Sequence, residues 1–306
     1  MARRIIRLPD RWFGGQELDS VLGGNPSPFS KEVDAVEIQV PKSCALRIGV
    51  CIRLLSMANQ LNAIGKQVTI SFEESQTGAM TYLDRMGFFD NLHENVRVLP
   101  DRPTITARSR LGGTNLGLVE IEPIALNGYD RTLPRRLSDT AARMHTSNEV
   151  GRRLGDAVFT VFSELIGNVY EHSGTELIGF AALQSYTNSN TIELAVSDSG
   201  VGILATLRPA LQQRRHQYAQ LDDAELLYRV ITEGVSRTGD SYGCGLWASA
   251  TQALAFGAAL EIRLPDCRMN FIPMKAGYDK GTIAEGAHRL PHMEGTHVCF
   301  DFRLDR

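Results

Sequence analysis

The sequence predicts an α/β (α+β) protein in two parts, and three observations carry that reading. Early in the chain, strand-like and helix-like patterns alternate, as a parallel crossover fold requires. From about residue 147, one long helical pattern leads into strands joined by polar turns, then into further helices. Glycine-bearing loops sit where those later elements meet.

Composition bounds the possibilities. The chain has 306 residues, 43% of them hydrophobic and 22% charged, which suits a globular protein of two domains. A net charge of −3 gives no general attraction to nucleic acid or anionic membrane. No apolar run approaches the ~20 residues of a membrane span. The basic start, Arg3-Arg4-Ile5-Ile6-Arg7, lacks the apolar core of a signal peptide. Five scattered cysteines form no Cys-x-x-Cys pair, so the expected setting is a reducing cytoplasm without zinc knuckle or disulfide framework.

In order, residues 1–32 are punctuated by glycine and proline and are expected to be an irregular lead-in. Val33–Val40 reads as a strand and Leu46–Ile64 as a helix, with Ile48, Ile52, Leu55, Ala58, Leu61 and Ile64 on one side. Gly65 occupies a helix C-terminal position, Lys66–Phe72 reads as a strand, and Thr77–Phe89 as an amphipathic helix. These elements define a small α/β domain over 33–99. In the connecting region, 100–146, glycines and prolines leave room for one short strand (Val119–Ile124) and one short helix (Leu133–Met144).

Gly65–Phe72 followed by Tyr82–Phe89 resembles the second half of a STAS-type domain, the anti-sigma-antagonist fold. In regulated members a serine or threonine opens the helix after the first of these strands. Only Ser43 stands nearby here, out of clear register, and a plain α/β docking domain is the competing reading.

The most distinctive stretch is Phe162–His172. Val158, Val161, Leu165 and Val169 make the apolar stripe of a half-buried helix. Glu164, Asn168 and His172 follow each other at four-residue steps of roughly 6 Å, so all three line one side. Gly167 costs the helix ~1 kcal/mol against alanine, so close approach by another element is expected there.

Two strands, Leu177–Gln184 and Thr191–Ser197, flank a polar turn at Thr187–Asn190. In the second, Ile192, Leu194 and Val196 alternate with Glu193, Ala195 and Ser197, the pattern of one-sided burial. The strand runs into Asp198-Ser199-Gly200-Val201-Gly202. Helices are expected over Thr206–Tyr218 and Asp222–Thr232, then a loop reaching Gly243-Cys244-Gly245-Leu246. A helix to about Phe256 follows, then strands at Ala259–Leu264, Arg268–Pro273 and Thr296–Arg303.

Together these stretches resemble the N, G1 and G2 boxes of the GHKL ATPase superfamily, over residues 147–306. That resemblance implies the Bergerat fold, a sandwich of a mixed sheet with helices on one face, and a site for ATP and Mg²⁺. Glu-x-x-x-Asn-x-x-x-His is most similar to anti-sigma-factor-type serine kinases. It implies Glu164 as catalytic base and Asn168 as Mg²⁺ ligand, whose amide oxygen is a hard donor suited to that ion. His172 would hydrogen-bond near the phosphates or cap the helix end. Asp198 would accept from the adenine amino group, with Gly200 and Gly202 letting backbone pass close to the base. Gly243, Gly245 and Leu246 would open a helix whose N–H groups face phosphate. Ser236–Tyr242 would be a lid carrying Arg237 to the phosphates, and Thr296 would support the adenine contact.

Two segments, 204–233 and 276–286, are longer than a minimal anti-sigma kinase needs. The expected function is a Mg-ATP-binding regulatory protein that hydrolyses ATP slowly or phosphorylates a partner protein on serine or threonine. The alternatives are an ATP-gated switch with little turnover and a degenerate fold used for interaction. A homodimer is expected by analogy.

Overall fold

The computed structural model describes residues 2–73, 78–124, 128, 130–144, 147–172, 174–237, 239, 245–275, 277–280 and 290–304, without the side chains of residues 148, 171, 172 and 280. The fold is mixed α/β, as expected. Its first part runs β1 (Arg3–Arg7), β2 (Trp12–Phe13), α1 (Gly15–Leu22), β3 (Ala35–Val40), β4 (Ala45–Leu46), α2 (Ile48–Ala63), β5 (Gln67–Phe72), α3 (Ala79–Arg85), α4 (Phe88–Asn91) and β6 (Arg97–Leu99). Strands β1-β3-β5-β6 form a sheet that is parallel at every pairing.

Residues 1–32 are therefore not irregular, because they hold β1, β2 and α1. In β1 only Ile6 is buried, and Arg3, Arg4 and Arg7 keep this edge strand polar, so alternation hardly shows. Helix α1 begins where the Glu17 carboxylate accepts the Gly14 N–H, a cap that sequence pattern alone understates. The helix expected over Thr77–Phe89 is two: α3 ends at Arg85 with Met86 as its cap, Gly87 turns at φ 77°, and α4 starts at Phe88. Thr77 lies outside the described residues.

The chain continues through α5 (Ala107–Leu111), β7 (Leu118–Ile124), α6 (Leu133–Arg143), α7 (Asn148–His172), β8 (Gly179–Tyr186), β9 (Thr191–Ser197), α8 (Ile203–Gln213), α9 (Asp223–Glu233), α10 (Gly245–Leu254), β10 (Ala259–Arg263), β11 (Arg268–Met274), β12 (Gly277–Lys280) and β13 (His297–Arg303). A second sheet has the order β12-β11-β10-β13-β9-β8-β7. It is antiparallel at every pairing rather than mixed. Hairpins link β8 to β9 and β10 to β11, while β13 returns between β9 and β10, which leaves no parallel crossover within it. Strand β7, from the connecting region, supplies one edge, and α6 packs on α7.

Helices do not lie on one face only. On one face α7 packs over Ile192, Leu194 and Val196, and α10 lies beside α7 against β10 and β12. The other face is covered by α2, so the one-sided burial expected of β9 is two-sided. Glu193 is 4% exposed, and Ala195 and Ser197 are fully buried. Small and polar side chains occupy that second face because α2 runs close against it. A Cβ at Gly49 would overlap the Cys299 sulfur and approach Glu193 Oε1 to 2.9 Å.

Helix α2 thus lies between two sheets, with residues buried all around it. Its polar stripe, Gly49-Arg53-Ser56-Gln60, meets the seven-stranded sheet. The Gly49 N–H donates to Glu193 (3.0 Å), Arg53 pairs with Glu261, and Ser56 bonds Ser197 (2.8 Å). At the helix start Arg47 bridges Glu193 (2.6 Å) and Asp301 (2.7 Å). Arg53, Arg263 and Arg268 surround the buried Asp19 of α1. Such ions persist out of water because each has an opposite charge beside it.

Candidate functional site

Helix α7 carries the first set of expected site residues. Val158, Val161, Phe162, Leu165 and Val169 are buried in the core and fix its rotation. That leaves Glu164 and Asn168 on the side toward α10. Gly245, the first residue of α10, touches Glu164 so closely that a Cβ at 245 would overlap the carboxylate and come within 3.3 Å of the Glu164 Cβ. The carboxylate therefore sits beside a helix N-terminus, where partial positive charge favours an anion. Among the described residues, neither the Glu164 nor the Asn168 side chain is committed to a hydrogen bond or ion pair.

Gly167 departs from expectation. Among the described residues, no atom of another element lies within 4 Å of a Cβ built there. Among the described residues, the close approach to α7 comes at Glu164, through Gly245, and not at Gly167.

A cleft opens between α7, α8, α10 and the ends of β9 and β13. It holds about 980 Å³ of empty space, its open mouth included. Asn168, Asp198, Gly202, Arg237, Gly245, Leu246 and Thr296 all line it. Val169, Val196, Leu207, Val230 and Val298 give it apolar walls between polar ends. Glu164 stands beside the lining through Gly245, and Gly200 acts from behind it. Gly243 and the lid residues 238 and 240–242 lie outside the described residues, as does the side chain of His172.

Asp198 forms the deep polar end. It is 8% exposed, and its two carboxylate oxygens accept the N–H of Gly200 (2.7 Å) and of Thr296 (3.0 Å). Burial pushes its carboxyl up to about 6, against the pull of those bonds and of the Thr296 hydroxyl. Among the described residues no cation pairs with it. The N–H groups of Gly200 and Thr296 and the Thr296 hydroxyl leave one of its roughly four lone-pair positions, which can accept a donor from a ligand.

The backbone around Asp198 is built for close packing. Gly295 adopts φ 102°, and a Cβ there would overlap the Asp198 carbonyl. Gly202, at φ 82°, caps α8 and lies against Pro265, whose Cδ would sit 3.0 Å from a Cβ. Gly200 needs no left-handed conformation; its contribution is its N–H. The Thr296 hydroxyl accepts the Ile203 N–H (3.1 Å), closing the start of α8. That cap starts the helix at Ile203, three residues before the expected Thr206, and α8 ends at Gln213, short of Tyr218.

Three contributors escaped the sequence reading. Segment 204–233, expected to hold two helices but given no part in the site, forms most of α8 and all of α9, which border the cleft through Thr206, Leu207 and Val230. Trp247 lines the mouth while 41% exposed; its place just after the glycine box was the available signal. Arg214 donates to the Ser236 carbonyl (2.5 Å) and abuts Gly239, tying the end of α8 to the start of the segment expected as a lid. Nothing in the local pattern of Arg214 announces that contact.

His297 is buried, with its Nδ1 against Ser197 and its Nε2 3.1 Å from the Glu294 carbonyl. His292 is exposed between Asp266 and Glu294, and these carboxylates raise its pKa against partial burial. His288 lies outside the described residues. No helix among the described residues is long and apolar enough to cross a membrane.

Ser43 lies before β4, with its N–H on Asp10 (2.9 Å), and Arg47 is the residue that precedes α2. The first N–H groups of α2 are taken by the Tyr186 hydroxyl and Glu193. A phosphate on Ser43 would find that helix end occupied.

Comparison with protein-family models and with curated proteins returns no match, so the site is read from its own geometry.

Proposed function

We propose that the cleft binds ATP with Mg²⁺ and that the C-terminal part of the chain is a regulatory ATPase or protein kinase module of the GHKL, Bergerat-fold class. One observation carries the reading most: a buried carboxylate without a cationic partner among the described residues, Asp198, at the end of an apolar cleft whose other end holds Asn168 and a helix N-terminus. A lone, desolvated acid in a cleft is a functional-site signature, since it costs stability unless a ligand uses it. Asp198 accepts from the exocyclic amino group of adenine; guanine presents a carbonyl there, which a carboxylate repels. The valine and leucine walls take the faces of the base.

At the other end, the Asn168 amide oxygen would hold the metal, whose chemistry is to bridge and neutralise phosphate oxygens. The donor set suits Mg²⁺: one neutral hard oxygen, leaving positions for phosphate and water. Glu164 takes the proton from an attacking water or from a serine or threonine hydroxyl of a partner. Arg237 and the N–H groups at the start of α10 receive the phosphates. Release of labelled phosphate, lost in Glu164→Gln with binding kept, tests the chemistry. Label on a partner protein distinguishes kinase from ATPase.

A second reading, a nucleotide-gated switch with little turnover, has one observation in its favour. The segments that hold Asp198 are hydrogen-bonded to a helix from the other end of the chain.

A further inference from the structure

Gln60, near the end of α2, is 3% exposed and makes three hydrogen bonds. Its Nε2 donates to the Ser199 hydroxyl (3.0 Å) and the Glu294 carbonyl (3.0 Å), while its Oε1 accepts the Glu294 N–H (3.2 Å). The amide thus pairs with both backbone groups of Glu294, as a neighbouring strand would. One turn earlier, Ser56 bonds Ser197, which bonds His297. Burial holds His297 far below its usual range, so the ring is neutral. Its Nε2–H then donates to the Glu294 carbonyl, and its Nδ1 accepts from Ser197.

Both chains of bonds end on the same two segments, 197–199 and 294–297. Gly200, which follows the first segment, and Thr296, inside the second, are the residues whose N–H groups hold the two oxygens of Asp198. An apolar residue at 60 would have served a helix that only needed burial. A buried glutamine is retained at low cost only where its partners are fixed in place, as they are here.

We propose that Gln60 and Ser56 are positioning residues of the adenine end of the cleft, so that the seating of α2 sets nucleotide affinity and base choice. This rests on the ATP reading given above. Coupling of this kind is reciprocal: nucleotide in the cleft tightens α2 against the sheet by the same factor. A partner that draws α2 away from the sheet weakens nucleotide binding, which gives the N-terminal part of the chain a way to report to the site.

The test compares the full chain with Gln60→Leu, Ser199→Ala and Asn59→Ala. Asn59 is a control on α2 that bonds Asn91 and His93, away from the cleft. Affinities for Mg-ATP and Mg-GTP are measured by calorimetry, and amide exchange at Gly200 and Thr296 is measured without nucleotide. Gln60→Leu is expected to weaken ATP about tenfold, narrow the ATP-to-GTP preference and speed exchange at both amides. Ser199→Ala moves all three readouts in the same direction by less, and Asn59→Ala moves none. A folded Gln60→Leu with wild-type affinity, preference and exchange overturns the inference. So does unchanged behaviour of Ser199→Ala, should Gln60→Leu not fold. If the wild type binds no adenine nucleotide, the ATP reading falls and takes this inference with it. Faster exchange in Gln60→Leu in that case marks the failure as one of ligand, not of positioning.

Discussion

Glu164 on α7 and Gly245 on α10 are in direct contact, and the missing side chain at 245 is what gives the carboxylate its place. The atom that a new Cβ would strike is the far end of a flexible side chain, so the backbone need not move. Gly245→Ala should therefore fold with near-wild-type stability and swing the carboxylate out of line. Phosphate release should fall about 10²-fold or more, the scale of a general base, while ATP affinity changes less than tenfold. Single-turnover kinetics beside calorimetry separates the two effects.

If Asp198 holds adenine as proposed, it couples binding to pH. Its carboxyl stands at about 6 in the free protein, above the ordinary carboxylate value, because burial disfavours the charge. The adenine contact needs the ionised form, so ATP affinity should be flat above about pH 7 and decline toward pH 5, by up to tenfold per unit. Stability runs the other way. A carboxyl raised on folding contributes stability at low pH that is lost as pH rises between its unfolded and folded values. Asp198→Asn should abolish that term, worth about 3 kcal/mol at most, and should flatten the affinity profile at a weak value. Denaturant unfolding at pH 4.5 and 7.5 and calorimetry across the same range read both trends.

Gly295→Ala combines a left-handed backbone at φ 102° with overlap against the Asp198 carbonyl. The strain is in backbone, which cannot swing aside. A loss of about 1–3 kcal/mol in unfolding free energy is expected, together with loss of detectable ATP binding.

Asp19→Asn removes the carboxylate shared by Arg53, Arg263 and Arg268 at the junction of α1, α2 and the second sheet. Among the described residues, the three buried guanidiniums are left with Glu261 beside Arg53 and Arg268 and the exposed Asp266 acting on Arg263. Destabilisation of about 3–5 kcal/mol is expected. Arg53→Met, which removes one of the positive charges, should cost less, because the remaining charges are closer to balance. Chemical denaturation of the two variants gives the order directly.

Much of this was legible in the sequence. Ile48, Ile52, Leu55 and Leu61 gave α2 its place and extent, and Ile192, Leu194 and Val196 gave β9 its inner face. Asp198, Thr296 and the α7 pair at 164 and 168 were found by pattern and do converge around one cleft. What was missed shares one cause. Periodicity tells apolar from polar, so the stripe Gly49-Arg53-Ser56-Gln60 and the alternate residues Glu193 and Ser197 each read as solvent faces. They are polar because they face each other, bond for bond, across a buried junction. A pairing 140 residues apart leaves no local trace in either partner. The lead-in was misread for a related reason, since Asp19 of α1 is buried by charges that arrive from Arg53 and Arg268.

The most direct trial is titration of the full chain with Mg-ATP by calorimetry at pH 7.5, beside Asp198→Asn and Asn168→Ala. A saturable isotherm is expected for the wild type, with binding lost on Asp198→Asn and its dependence on Mg²⁺ lost on Asn168→Ala. Absence of heat and of competition with a fluorescent adenine nucleotide, or wild-type affinity in Asp198→Asn, would contradict the assignment of this cleft.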